Sequence, residues 1–247
     1  MTDLASWALT DFSDGGRTFP VYRKGTGPGV VIVHEIPGIT PAVLAFADEV
    51  VGAGFTVVLP SLFGEPGAPL TVTYGFSTFA RLCIRSEFTK LALNQTAPIA
   101  DWLRALARTL HAELGGPGVG AVGMCFTGGI ALAMMAGAPV AAPVLAQPSM
   151  PMSIGKRRSA DLNLSPADLA AVKRKAAAGC PVLGLRYVGD KAVGTRFDTL
   201  RAELGDKFIA VEFPGRKHST LTEHRQQEGV DRVVEFLRHQ LLEPAPD

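Results

Sequence analysis

Gly123-Met124-Cys125-Phe126-Thr127-Gly128-Gly129 sets a thiol among small residues, directly after the apolar run Val119–Met124 and directly before another, Ile130–Met135. That order reads as strand, sharp turn and helix with a nucleophile at the tip, where small flanking residues let neighbouring backbones approach. A helix N-terminus beneath the turn would stabilise negative charge on the sulfur. Thr127 stands where the usual turn has its second glycine, a departure from the pattern. The bland alternative is a small buried hydrophobe in a glycine-rich turn. A cysteine nucleophile needs a base and an acid to orient it, and in this arrangement the acid and then the histidine follow in chain order, each just past a strand. Asp190 follows the apolar run Pro181–Val188, and His218 follows Phe208–Phe213 through Pro214-Gly215-Arg216-Lys217. Both are expected to be exposed at strand ends. Asp198 lies inside a helical pattern and Asp206 in a turn entering a strand, so both serve less well. His111 and His239 fall in helices, His224 near the start of the last helix, and His34 reads as a packed core imidazole. Cys125 would then attack a carbonyl, His218 would move the protons, and Asp190 would orient the imidazole. The backbone N–H of Phe126, next after the nucleophile, and that of Ile36, in the loop after the first core strand, are expected to form the oxyanion hole.

These residues need a scaffold that brings several strand ends together. Residues Ser6–Phe12 and Thr18–Val21 flank Asp14-Gly15-Gly16 and predict a hairpin. Thereafter short apolar runs (Val30–Val33, Phe55–Leu59, Val119–Met124, Val140–Ala146, Pro181–Val188, Phe208–Phe213) alternate with helical patterns. Runs without polar alternation suit parallel strands covered on both faces. Ile99, Trp102, Leu103, Leu106, Leu110 and Leu114 repeat at helical steps, and Gly115-Gly116 stop them. Ser165-Pro166-Ala167-Asp168 opens a helix to about Ala178, and Val230, Val233, Val234, Leu237 and Leu241 stripe the last one. The expected fold is a single α/β domain over residues 1–247, with a mostly parallel twisted sheet, helices on both faces and an N-terminal antiparallel hairpin. Reactive groups gather at the carboxyl ends of such strands.

Composition narrows the function. Of 247 residues, 47% are hydrophobic and 19% charged, with a net charge of +1. Neither nucleic-acid binding nor a polybasic membrane surface is expected from that balance. Cysteines at 83, 125 and 180 are too few and too scattered for a disulfide scaffold or zinc ribbon. The acidic start is no signal peptide and no apolar run of 18 residues spans a bilayer, so a cytoplasmic protein is expected. Gly118-Val-Gly120-Ala-Val-Gly123 matches a dinucleotide fingerprint, but it leads into a strand rather than a helix and has no acid about 20 residues on. His34-Glu35 opens like a zinc-protease signature, yet position 38 is Gly and Pro37 opposes a helix. No phosphate loop occurs. The sequence therefore suggests no metal and no cofactor.

His34-Glu35-Ile36-Pro37-Gly38, the cysteine turn, Gly189-Asp190 and His218-Ser219 together make the chain resemble the dienelactone hydrolase family of the α/β-hydrolase superfamily, which has a cysteine nucleophile. The resemblance implies a carboxymethylenebutenolidase-like enzyme that cleaves a small ester or lactone through an acyl-enzyme thioester. It also implies that Glu35 lies beside Cys125 and helps switch the thiol into thiolate when substrate arrives; otherwise Glu35 is an exposed loop acid. Family enzymes carry an arginine where this chain has Thr222. Arg81 or Arg85 is the expected counterpart of their other carboxylate-binding arginine. With Thr222 in place of the first, a related ester or lactone is a safer substrate than dienelactone.

Other features have plain readings. Cys83 and Cys180 are expected to be buried thiols, Lys156-Arg157-Arg158 a solvated loop that could draw anions to a rim, and Met134 and Met135 core. The rivals to ester hydrolysis are acyl or thioester transfer on the same fold and a non-catalytic ligand-binding or redox-responsive use of Cys125. The partner is expected to be a small ester or lactone, and the protein a monomer or weak homo-oligomer.

Overall fold

The computed structural model describes residues 3–71, 73–78 and 93–242. Arg81, Cys83 and Arg85 lie outside the described residues. Strands β1 (Ala8–Asp14) and β2 (Arg17–Lys24) form the expected hairpin, antiparallel from Ala8 opposite Arg23 to Asp14 opposite Arg17. Its turn is Gly15-Gly16, both at positive φ, which glycine adopts without steric cost.

Six strands then build the parallel part: β3 (Gly29–Val33), β4 (Thr56–Pro60), β5 (Val119–Met124), β6 (Val140–Ala146), β7 (Val182–Tyr187) and β8 (Phe208–Phe213). The order across the single sheet is β1-β2-β4-β3-β5-β6-β7-β8, with β2 antiparallel to β4 and every later pair parallel. The helices include α1 (Pro41–Gly52), α2 (Ile99–Leu114), α3 (Gly128–Gly137), α4 (Gly155–Ala160), α5 (Pro166–Ala177), α6 (Arg196–Leu204) and α7 (Gln227–Leu241).

Because successive strand side chains point to opposite faces, β3 feeds two cores. Val31 and Val33 pack with the apolar stripes of α2, α3, α5 and α6, whereas Val30 and Ile32 pack with those of α1 and α7. This is why its five residues are all buried and show no polar alternation. Trp102 of α2 clamps the hairpin, its ring edge-on to Phe12 and Phe19 with centroids 5.2 and 5.1 Å away. Ser165 caps α5 by accepting from the Asp168 amide, and Pro166 occupies the first turn. Met134 and Met135 are fully buried in α3. The basic run Lys156–Arg158 differs from expectation: it is helical, in α4, rather than loop. Among the described residues, no helix is long and apolar enough to cross a membrane.

Candidate active site

Cys125 directly follows β5 and begins a single tight turn, Cys125–Thr127, that runs into α3. Its φ is +52°, a region that non-glycine residues seldom occupy and that marks functional strain. Two glycines make the bend possible. A Cβ on Gly123 would stand 2.4 Å from the Thr127 carbonyl oxygen, and one on Gly128 would stand 2.6 Å from Cα of Pro148. The second close approach is thus at 128, one position after the place where the usual motif has glycine. Thr127 can occupy that place because its hydroxyl donates to the Val33 carbonyl at 2.8 Å and accepts from the Met124 amide at 3.0 Å. The departure from the motif is a staple between the turn and the end of β3.

The neighbouring strand ends carry the candidate partners. Val188-Gly189-Asp190 continues past β7, and the loop after β8 packs on it, with the Gly189 amide donating to the Gly215 carbonyl at 2.9 Å. Asp190 Oδ2 lies 2.6 Å from His218 Nδ1, and Asp190 Oδ1 accepts from the Ala192 amide at 3.0 Å. Against expectation, Asp190 is buried and His218 largely so; the two loops cover each other and the carboxylate is spent on hydrogen bonds. Burial alone disfavours the imidazolium, but the adjacent Cys125 and the hydrogen-bonded Asp190 carboxylate outweigh it, and the His218 pKa rises from 6.5 to about 11. Asp206 is exposed and Asp198 lies in α6. His224 and His239 are exposed and His111 is half-buried in α2.

Glu35, one residue past His34 at the end of β3, is buried at 3% exposure and is not a loop acid in solvent. Ser219 Oγ donates to its Oε2 at 2.8 Å, the Thr222 hydroxyl donates to its Oε1, and Gln147 Nε2 reaches Oε2 at 3.4 Å. Burial raises the Glu35 pKa, opposed by the hydrogen bonds from Thr222 and Ser219 and by the charge of His218. Single ligand-capable atoms of Glu35, Cys125 and His218 all lie within 4.8 Å of one another. His34 is the expected core imidazole: its Nδ1 is 3.1 Å from the Glu35 carbonyl, its Nε2 accepts from the Leu62 amide at 3.1 Å, and burial lowers its pKa to about 4.

The sequence reading missed Gln147 and the hydroxyls of Ser219, Thr220 and Thr222 as parts of this cluster. Gln147 follows β6 at its carboxyl end, so the strand-end rule that found Asp190 could have found it. It is buried, has a φ of +36°, and its Oε1 accepts from the Thr220 amide and hydroxyl at 3.0 and 2.6 Å.

Cys125 and His218 open on a cleft of about 390 Å³, lined also by Ile36, Phe126, Ser149, Met150, Met152, Ser153, Lys191 and Ala192. Ser149 Oγ is 3.3 Å from the sulfur. The lining is largely apolar, and Lys191 is its one basic side chain besides His218 among the described residues. The two walls are tied behind by the fully buried Arg196, which donates to the carbonyls of Asp161 at 2.9 Å, Val193 at 2.8 Å, Arg158 at 2.9 Å and Pro151. Burial lowers the Arg196 pKa to about 10, opposed by Asp161. A larger groove, about 570 Å³, runs between α1 and α7, but its lining of Glu49, Asp231, Glu235, Arg238 and His239 has no thiol or hydroxyl nucleophile. Cys180 is half-buried, its thiol donating to the Ala141 carbonyl at 3.3 Å, and burial pushes its pKa up to about 11.

The dienelactone hydrolase family model matches residues 17–239. Among solved structures, a dienelactone hydrolase from Anabaena variabilis is 19% identical with a TM-score of 0.65, covering 95% of this chain and 98% of its own. A putative dienelactone hydrolase from Klebsiella pneumoniae is 17% identical with a TM-score of 0.63, covering 95% and 97%. A dienelactone hydrolase-like promiscuous phosphotriesterase from metagenomic libraries is 16% identical with a TM-score of 0.64, covering 95% and 98%. At these identities the likeness speaks for the fold. No curated protein matches.

Proposed function

The chain belongs to the dienelactone hydrolase family, and from that premise we propose that it hydrolyses small carboxylic esters or lactones through Cys125, His218 and Asp190. The observation that carries this reading is the 2.6 Å contact of His218 Nδ1 with Asp190 Oδ2. It fixes the ring so that the other nitrogen serves the cysteine at the mouth of the cleft. The Cys125 sulfur attacks the carbonyl carbon, and the negative oxygen of the tetrahedral intermediate is held by the amides of Phe126 and Ile36. The intermediate collapses with cleavage of the C–O bond. The leaving oxygen takes the proton from His218, and in a lactone it stays tethered to the acyl group. Water, giving its proton to His218, then attacks the thioester, and the thiolate leaves.

Glu35 acts beside the sulfur. Its hydroxyl and amide partners hold the carboxylate in place, and loosening them on substrate entry lets it take a proton from the resting thiol. Lys191, on the wall next to Asp190, favours substrates with an anionic group away from the scissile bond, and Met150 and Met152 take the apolar part. A merely redox-responsive Cys125 would need neither Asp190 nor His218. The test is mass spectrometry of the protein quenched during turnover of an activated ester. An acyl adduct on Cys125 is expected; turnover with no adduct, and none trapped in His218→Ala, would reject the covalent route.

A further inference from the structure

We propose that Glu35, Cys125 and His218 form a reversible binding site for one zinc-class divalent cation, whose occupancy shuts off acyl chemistry. The binding site goes beyond the hydrolytic reading and is tested without it, whereas the shut-off of acyl chemistry rests on that reading. The three side chains offer one carboxylate oxygen, one sulfur and one imidazole nitrogen, all within 4.8 Å of one another. Zinc bonds of about 2.0–2.3 Å in a tetrahedron hold such atoms roughly 3.3–3.7 Å apart. Closing on a metal therefore takes a shift of about an ångström. A mixed sulfur, nitrogen and oxygen set suits zinc and its neighbours in the first transition row, and not magnesium or calcium, which take oxygen.

The surroundings are those that metal ligands require. His218 gives its Nδ1 proton to Asp190 at 2.6 Å, the carboxylate–histidine arrangement that leaves Nε2 as the ligand atom. Glu35 is held by Ser219 at 2.8 Å and by Thr222 and Gln147, so its carboxylate is oriented before any ion arrives. Cys125 and His218 line the cleft together with Ser149, so a metal held by three side chains could take its fourth ligand, water or a small anion, from that side. Binding displaces any proton on the Cys125 sulfur or His218 Nε2 to solvent, with no redox change. It occupies the nucleophile and the base together. The ligands stand at 35, 125 and 218, on three strand ends, so no short spacing in the sequence announces them.

The test uses the purified full chain, stripped with a chelator and titrated separately with Zn2+ and Co2+. One equivalent should bind, ester hydrolysis should fall in proportion and return with excess chelator, and Co2+ should give an intense near-ultraviolet sulfur-to-cobalt band. Cys125→Ser should lose that band and Cys180→Ser should keep it. Glu35→Gln should weaken binding at least about 10-fold, given what loss of even an outer partner costs a metal site. Should that variant fail to fold, Glu35→Asp, which keeps the charge but withdraws the oxygen, takes its place with the same expectation. Absence of the band in wild type, its persistence in Cys125→Ser, or unchanged affinity in the folded Glu35 variant would overturn the proposal. If wild type shows no esterase activity, the hydrolytic reading fails, and the cobalt spectrum still decides the site.

Discussion

Ser219 Oγ donates a hydrogen bond to Glu35 Oε2 across 2.8 Å. The residue next after His218 thus grips the acid that follows β3, 184 positions away in the chain. Thr222 grips the other oxygen of the same carboxylate. The position that holds an arginine in the enzymes this chain resembles is therefore occupied by a hydroxyl that orients Glu35. The first prediction follows from that exchange. Glu35→Gln should lower ester turnover and change the rate at which iodoacetamide alkylates Cys125, and Thr222→Val should do the same more weakly. Alkylation rates against pH, with and without a non-hydrolysable lactone analogue, check this; superimposable profiles for wild type and both variants would remove Glu35 from the mechanism.

Cys125→Ala should abolish hydrolysis of activated esters and leave the fold intact. Alanine meets the +52° φ of this position with no more strain than cysteine does. Activity assays paired with circular dichroism decide it, and turnover retained in the folded variant would sink the nucleophile assignment.

Asp190→Asn should reduce kcat by about 10³–10⁴, because the amide favours the wrong histidine tautomer. Asp206→Asn should stay near wild type, since Asp206 is solvent-exposed on the far edge. The reverse result would show the wrong acid has been chosen.

Lys191→Met should lower kcat/KM for an ester bearing a carboxylate roughly 2- to 5-fold, the scale of one exposed ion pair. A neutral isostere should be unaffected. Equal losses on both substrates would assign Lys191 to packing rather than charge recognition.

His34 should make the protein acid-sensitive. Burial holds its pKa at about 4 against 6.5 when exposed, so between those values the unfolded chain binds the extra proton and the folded one does not. Stability is then full above pH 6.5 and is lost as pH falls towards 4, by roughly 3 kcal/mol for this one group. Glu35, whose pKa burial raises, acts in the opposite sense, so the test is a difference. Urea unfolding of wild type and His34→Gln at pH 7 and pH 5 should show the smaller acid loss in the variant.

The sequence by itself determined the strands, most of the helices and the chain order of Cys125, Asp190 and His218. It could do so because runs such as Gly29–Val33 must be apolar at every position to be covered on both faces, and that composition is local. The strand-end rule singled out Asp190 and His218 without any coordinates, and the fold brings those two side chains to 2.6 Å of each other. Other features depended on which distant segments meet. Nothing near Thr127 in sequence says that its hydroxyl finds the Val33 carbonyl, so a staple looked like a flaw in a motif. Nothing near Asp190 shows that the β8 loop buries it. Glu35 could be read from its neighbours as a solvent acid, and only the approach of Ser219, Thr222 and Gln147 from two other strand ends makes it a buried, fixed carboxylate. Strand and turn formation answer to neighbours a few residues away, whereas burial and hydrogen-bond partnership are settled by packing across more than a hundred residues. Tertiary structure alone decides the second kind.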